Sequence, residues 1–518
     1  MANKSLFAGY AGRLLGKTNA QNRSGAPAYA LGPKHQLAQL AVTGTLSRTF
    51  YATAREQLDD VMALADKVEP RFLAQAAIYA RERGQMKDMP ALLLATLSLR
   101  DPTLLTRAFP RVIDNGRMLR TFVQIMRSGA AGRKSLGSRP KALVQGWLNQ
   151  ATDRQILNAA VGQSPSLADV IRMVHPKPAS AARTALYAYL IGKPYDVALI
   201  PQAVRAFEAF KRDPEAPVPD VPFQMLTALE LTPQHWAAIA KNAGWQMLRM
   251  NLNTFDRQCV FAQDGLAEMV AARLRDPAEI ARSRVLPYQL MAAYMAASPE
   301  VPAIVRAALQ DAMEIAIANV PVVAGAVVIC PDVSGSMGSP VTGARKGATS
   351  AVRCIDVAAL VASAMLRANP TAKVLPFEND VVNVAMNPRD TVLTNAATLA
   401  AVGGGGTNCS APLARLNAGH MKVDLVVFIS DNESWMDAKG GRQTTGMMAE
   451  CMQLKARNRD AKLVCIDIQP YGTTQAPERE DILNIGGFSD AVFEVIAGFA
   501  SGKMGPGHWV AEIDKIDV

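Results

Sequence analysis

Beyond Pro321 the sequence alternates short β-branched runs with longer amphipathic stretches, and that alternation leaves few folds open. The runs lie at about 322–330, 373–377, 424–430 and 462–468, with another candidate at 492–496. Between them, Cys354 to Ala368 and Thr444 to Arg457 carry apolar residues at helical spacing. The runs are too short for ordinary helices and apolar on both faces, so they predict a parallel sheet covered by helices on each side. In an open sheet of this kind, chemistry gathers beyond the carboxyl ends of the strands.

The residues at those ends are unusual. The first run, Val322 to Cys330, leads into Asp332-Val333-Ser334-Gly335-Ser336, which offers one carboxylate and two hydroxyls at alternate positions. Asp, Ser and Gly also make any turn after a strand, so this segment alone decides little. A glycine loop, Gly403 to Asn408, adds Thr407, and the run Leu425 to Ser430 ends in Asp431. Asp332, Ser334, Ser336, Thr407 and Asp431 are hard oxygen donors that suit a divalent cation, magnesium above all. No G-x-G-x-x-G follows the first strand, and the glycine loop lacks the Gly-Lys-Ser or Gly-Lys-Thr end of a phosphate loop.

Upstream the pattern is different. From about 35 to 320 apolar residues recur at i, i+3, i+4 and i+7, as in Met118, Leu119, Phe122, Ile125 and Met126, or Leu167, Val170, Ile171 and Val174. Pro90, Gly129, Pro165, Pro176, Pro214 and Pro287 punctuate these helices, and no strand is predicted there. The chain of 518 residues exceeds what one core usually spans. The expected domains are 1–320, an array of paired helices resembling HEAT-type repeats, and 321–518, the α/β domain.

Charge divides in the same way. Residues 1–320 hold 38 Lys and Arg against 25 Asp and Glu, a balance of +13, whereas 321–518 hold 17 against 20, a balance of −3. A basic domain suits an anionic partner such as nucleic acid. Between Arg107 and Lys141 there are nine basic residues and one acid. Within that stretch the glycine-rich segment 128–141 predicts a loop displaying Arg133, Lys134, Arg139 and Lys141, either as a solvated charge run or along a phosphate backbone. A second cluster, Arg172-Met173-Val174-His175-Pro176-Lys177-Pro178, stops a helix at proline and places Arg172, His175 and Lys177 at its end. There His175 either caps the helix or meets an unpaired base.

Six cysteines without C-x-x-C spacing predict reduced, mostly buried thiols, with Cys409 the one exposed. No signal peptide is read in the N-terminal segment, where Lys4, Arg13, Lys17 and Arg23 interrupt the apolar stretches. The longest uncharged stretch, Ile315 to Pro331, contains Asn319 and Pro321 and reads as a helix end followed by a strand. A cytoplasmic protein without a membrane partner is expected.

Taken together, the segments at 332–336, 403–408 and 425–431 resemble the metal-ion-dependent adhesion site of von Willebrand factor A domains. Joined to a helical part carrying R-M-V-H-P-K-P, Gly44 to Tyr51, Arg81-Glu82-Arg83-Gly84 and Asp88-Met89-Pro90, the whole chain resembles the Ro autoantigen family, and its bacterial Ro-like members in particular. The resemblance implies that the helical TROVE part closes into a ring with a basic central hole and that a Rossmann-like A domain bridges the ring's ends. It implies single-stranded ends of misfolded RNA in the hole and small Y-like RNA on the outer surface, with His175 matching the histidine needed for Y RNA. One departure is that Gln155 to Gly162 lacks the basic pair some relatives carry upstream of that histidine. An exoribonuclease such as polynucleotide phosphorylase and a monomeric state are also implied.

The preferred expectation is a non-enzymatic RNA-binding protein of RNA quality control and processing, since no nucleophile, base and orienting acid form a motif. The alternative is a metal-dependent protein-interaction scaffold without RNA. A metal-dependent nuclease or phosphatase is the third class.

Overall fold

Strands buried on both faces need no alternation of polar and apolar residues, and the runs after Pro321 show none. A computed structural model of the chain describes residues 17–213, 215–283, 285, 287–317, 320–344, 352–436, 444–487, 491–505 and 507–518. In chain order its strands are β1 (Ala20–Gln21), β2 (Pro27–Ala30), β3 (Val327–Pro331), β4 (Lys373–Val374), β5 (Leu425–Ser430), β6 (Lys462–Asp467), β7 (Thr473–Thr474) and β8 (Ile482–Gly486). β3, β5 and β8 are buried at every position. Five strands form a parallel sheet in the order β4-β3-β5-β6-β8. The register that sets Pro331 beside Ile429 brings the residues after β3 next to the end of β5.

Two of the sequence expectations change here. Only the second half of the run 322–330 is strand, because Val322 is exposed and Gly325 turns the chain at φ +94°. The predicted strand at 492–496 is part of the helix Ala491–Ala500, and the strand of that region is β8. Val492, Ile496 and Phe499 are buried at helical spacing, while Glu494 is exposed. A short apolar run satisfies both periods, so its composition could not separate them. The helix Cys354–Ala368 is as predicted. Asp356 accepts from the Arg353 backbone N–H at 2.7 Å and from its guanidinium, fixing the helix start.

Packing divides the chain into two compact units, Met1–Leu64 with Arg275–Ala296 and Leu309–Lys515, and Ala65–Leu274 with Ala297–Ala308 and Ile516–Val518. In the first, β1, β2 and β7 form a small antiparallel sheet. The helix Pro33–Thr43 lies against β8, where a Cβ on Gly486 would come within 2.8 Å of the Gln39 Cβ. The boundary at 320/321 therefore marks a change of sequence pattern, while residues 17–64 pack with the α/β part. Cys409 is buried in the core beneath the sheet, and Cys259 is the exposed cysteine, which reverses the expectation for Cys409. No disulfide forms among the described residues.

The second unit is helical. Pro70–Glu82 contacts both Asp88–Arg100 and Pro102–Val112, Asp88–Arg100 contacts Gly116–Ser128, and Pro102–Val112 contacts Ser138–Gln150. Contact with the next helix but one continues from Gly116–Ser128 to Asp153–Ala160 and from Ser138–Gln150 to Leu167–Val174. This is the stacking of paired-helix repeats. Arginines tie the stack by donating to carbonyls at helix ends: Arg100 to Val68 at 2.8 Å, and Arg183 to Leu148 at 3.0 Å and Ala151 at 2.7 Å. No helix among the described residues is long and apolar enough to cross a membrane.

One close approach tests this stacking. A Cβ on Gly116 would lie 2.5 Å from the Ala159 Cα, backbone that cannot rotate away. Gly116→Ala should cost about 1–3 kcal/mol through overpacking. A thermal melt unchanged by the substitution would refute the approach of these two helices.

Candidate functional site

The parallel register places Asp332 beside the last residues of β5, with its N–H on the Ile429 carbonyl at 2.9 Å. Asp332 is fully buried, and its two oxygens are already engaged. Oδ1 accepts from the Ser334 N–H at 2.8 Å and Oδ2 from the Ser430 hydroxyl at 2.6 Å. Ser334 Oγ lies 3.3 Å from Ser336 Oγ and accepts from Thr407 Oγ1 at 3.0 Å. The Ser336 hydroxyl also bonds to Asp431. All five residues named from the sequence thus meet in one hydrogen-bonded group. Ser430 is a sixth member that the sequence did not single out.

The glycine loop reaches the group through backbone. Gly335 donates to the Gly405 carbonyl at 3.1 Å and Gly404 to the Val333 carbonyl at 3.0 Å. Gly405 has φ +67°, a conformation that favours glycine, and a Cβ there would displace the Glu378 carboxylate. From the other side, Asn22 Nδ2 donates to the Ser434 carbonyl at 2.8 Å and the Ser24 N–H to Glu433 at 3.2 Å. Tyr51 hydrogen-bonds to both Ser336 and Ser24. The first unit's N-terminal residues therefore wall the site. No sequence signal could find them, because Tyr51 and Ser336 are joined only by folding.

Electrostatically the site is short of positive charge. Burial, with the neighbouring Asp431 carboxylate, pushes Asp332 up to about 7. Burial raises Asp431 too, and burial with Asp431 pushes Glu433 up to about 8. Asp467 is also raised, chiefly by burial, and its Oδ1 has no hydrogen-bond partner among the described residues. Among those residues no Lys or Arg pairs with Asp332 or Asp431. Nor do three or more His, Cys, Asp or Glu side chains cluster to hold an ion, so the donor set is two carboxylates and three hydroxyls. Hard oxygens around an uncompensated buried charge fit a small divalent cation.

In the helical unit the predicted basic residues scatter more. The segment 128–141 is a loop only as far as Gly137, and the helix Ser138–Gln150 begins with Arg139 and Lys141 on its first turn. Gly137 at φ +72° makes the turn and Pro140 suits a helix start. Arg133 is not displayed. Its guanidinium folds inward onto Gly137 and reaches the Ser98 hydroxyl at 3.4 Å, and its Nε is buried without a partner. Lys134 and Arg139 are exposed, and Lys141 is half-buried. Arg172 is exposed, and it donates to the Ile191 carbonyl at 2.7 Å.

His175 occupies the C-cap of Leu167–Val174 in the left-handed conformation, φ +50°, with its N–H on the Ile171 carbonyl. The backbone caps the helix and the ring is left exposed, so the two readings of this residue are compatible. Gln145 donates to the carbonyls of Val174 at 2.6 Å and His175 at 3.2 Å, and Asn149 donates to that of Lys177 at 3.2 Å. The helix carrying Arg139 and Lys141 thus also holds the His175 segment, roughly 12 Å further along. Arg127, exposed and 3.6 Å from Met173 Sδ, belongs to the same region and was missed as one charge among many.

A parallel sheet bearing D-x-S-x-S, a threonine loop and a second strand-end aspartate defines a von Willebrand factor A domain, here in one chain with a stacked-helix unit. Residues 326–500 match the family model described as the Ro60 vWA domain. The chain is 26% identical to the RNA-binding protein RO60 of Deinococcus radiodurans over 95% of this chain and 97% of that one. The crystal structure of the Deinococcus radiodurans RO (RSR) protein shares the fold, with a TM-score of 0.59 at 22% identity, covering 91% of this chain and 100% of that one. The chain is Ro-like along nearly its whole length, and the resemblance read from its sequence is borne out.

The acid site makes a prediction. Asp332 has its folded pKa raised from 3.8 to about 7, so below pH 4 it adds no penalty, and stability falls as pH rises through about 7. In chelator, the melting temperature should be several degrees lower at pH 8 than at pH 5, and Asp332→Asn should flatten that slope. A slope unchanged in the variant would remove Asp332 as its source.

Proposed function

We propose that this protein is a non-enzymatic RNA-binding protein of RNA quality control and processing in the cytoplasm. In this reading a Y-like small RNA lies on the outer surface of the helical unit and the unpaired end of misfolded RNA enters a hole within that unit. The observation that carries it is the exposed group of Arg127, Lys134, Arg139, His175 and Lys177 on one stretch of stacked helices. Likeness over nearly the whole chain to a protein named for RNA binding supports it. Exposed arginine and lysine hold phosphates without reading sequence, and an exposed imidazole on a rigid helix end can stack on an unpaired base. An exoribonuclease partner and a monomeric state follow from the resemblance.

In the A domain we propose a magnesium ion held by Asp332, Ser334, Ser336, Thr407 and Asp431. The ion would balance the buried carboxylates and leave a coordination position for a ligand carboxylate. Alone, that site would equally serve a metal-dependent protein-interaction scaffold without RNA. The basic helical surface favours the RNA reading.

Binding of fluorescent RNAs decides between them. A hairpin with a single-stranded 3′ tail should bind more tightly than the blunt hairpin at physiological salt, and equal affinity would sink the reading. Replacing Arg127, Lys134 and Arg139 by Ala should reduce the slope of log affinity against log salt by about 0.7 for each phosphate that is no longer neutralised. His175→Ser should weaken Y-like RNA and spare tailed RNA. If both fall together, the residue is structural.

The ion site is tested separately. Asp431→Ala should abolish Mn2+ binding measured by electron paramagnetic resonance and leave RNA affinity unchanged. Stoichiometric Mn2+ in the variant would place the ion elsewhere.

A further inference from the structure

A cavity of about 680 Å3 in the helical unit takes no part in the sites described above. Every residue lining it falls between Asp153 and Met247, so it belongs wholly to the Ala65–Leu274 part of that unit. Its volume lies within the range of about 300–1,000 Å3 that encloses a small ligand. The helix Asp153–Ala160 supplies one wall, the segment 218–223 another, and the end of the helix Pro233–Asn242 a third.

The lining is apolar at depth and polar at the rim. Leu157, Leu226 and Ile239 are buried, whereas Asn158 and Asn242 are exposed. Phe223 lines the cavity too, braced edge-on against Trp236 with centroids 5.7 Å apart, and Trp236 in turn stands against Phe255. A flat apolar group entering here meets a ring and aliphatic side chains that are already in place.

Charge favours a neutral ligand. Asp220 pairs with Arg154 at 3.1 Å and Asp153 with Arg183 at 3.1 Å, which leaves no charged lining residue uncompensated. The polar groups left over are the side-chain amides of Asn158 and Asn242, which have no hydrogen-bond partner among the described residues. Each offers a donor beside an acceptor. A nucleobase has apolar faces and an edge of that kind, and adenine has two adjacent ones, N6–H with N7 and N6–H with N1, each able to form a two-bond pair with an asparagine amide. Hypoxanthine and uracil have a single ring N–H and satisfy one such amide only. The second edge of guanine lies against its ribose.

We propose that this cavity binds one unstacked adenine base, its two edges read by Asn158 and Asn242 and its face laid against Phe223. The base arrives on an RNA strand or as a free nucleotide. The first source rests on the RNA reading above and gives the helical unit a base preference that phosphate contacts lack; the second stands without it.

The test uses the full chain in two arms. In the first, adenosine, guanosine, inosine and uridine, none of which carries a phosphate, are titrated at physiological salt and followed by ligand-observed NMR. Adenosine should bind about fivefold or more tightly than each of the others, the lower end of what a two-bond amide pair discriminates. Gly244 lines the cavity, and a Cβ there would meet nothing within 4 Å, so Gly244→Leu should occupy the space without a clash and abolish the adenosine preference. Asn158→Ala combined with Asn242→Ala should bring adenosine level with inosine.

In the second arm, hairpins with a 3′ tail of uridines, with and without one adenine, are compared by fluorescence anisotropy. The adenine-bearing tail should bind more tightly, and Gly244→Leu should remove the difference while holding the all-uridine tail as the unsubstituted chain does, which shows that the fold persists.

Equal binding of the four nucleosides overturns the proposal, as does tighter guanosine or an adenosine preference that survives in either variant. An adenosine preference without a tail preference upholds the site and assigns it to a free nucleotide. Adenosine binding beside a failure of both tails to bind overturns the RNA reading and upholds the cavity's.

Discussion

Two carboxylates held together out of water are the constraint around which the A domain's functional edge is arranged. The parallel register of β3 and β5 leaves no freedom here, since pairing Pro331 with Ile429 sets Asp332 beside Ser430 and Asp431. Two buried anions cannot both keep their charge unless something positive joins them. The surrounding groups answer that need only in part. Ser430, Ser334 and Ser336 donate hydrogen bonds to the carboxylates, yet both acids remain shifted upward. Protons or a cation must supply the rest. The Gly335–Gly405 contact and the Tyr51 hydrogen bond add rigidity to the same arrangement, so the chain itself sets the site's shape.

In the helical unit, positive charge serves two ends, and the structure separates them. Arg100, Arg120 and Arg183 donate to carbonyls at helix ends, while Arg111 forms a paired ion bridge to Glu82 at 2.7 Å. These groups hold neighbouring helices and are not available to a phosphate chain. Net charge therefore overstates the charge this unit exposes. The charge left exposed includes that of Arg127, Lys134, Arg139 and Lys177.

What could be read from the sequence follows from how local each signal is. β5 and the helix Cys354–Ala368 were legible because composition and length agree with one another there. The five residues of the hydrogen-bonded group could be brought together from the sequence because each follows a strand or sits in a glycine loop, so topology alone makes them meet. The segment Val492 to Ile496 was misread because its apolar run fits strand and helix equally, and only the packing of Phe499 and Ile496 on the core chooses. Arg133 failed for another reason: its sequence neighbours are small and polar, but Gly137 and Ser98 open a place for the guanidinium to turn inward. Cys409 follows a glycine loop, yet its N–H is fixed by Ser434 and its side chain enters the core. Nothing near Tyr51 or Asn22 in the sequence points to a partner some three to four hundred residues away.

The two parts of the chain carry opposite charge. Residues 1–320 have a balance of +13, and those of their cations that stay exposed would attract a phosphate chain through their summed field. At the A domain edge Asp332 and Asp431 are buried, and Glu378 and Glu433 add carboxylates nearby. A polyanion arriving there would meet repulsion from each of these groups that is ionised. Electrostatics therefore favours the helical surface over the A domain edge for any phosphate chain.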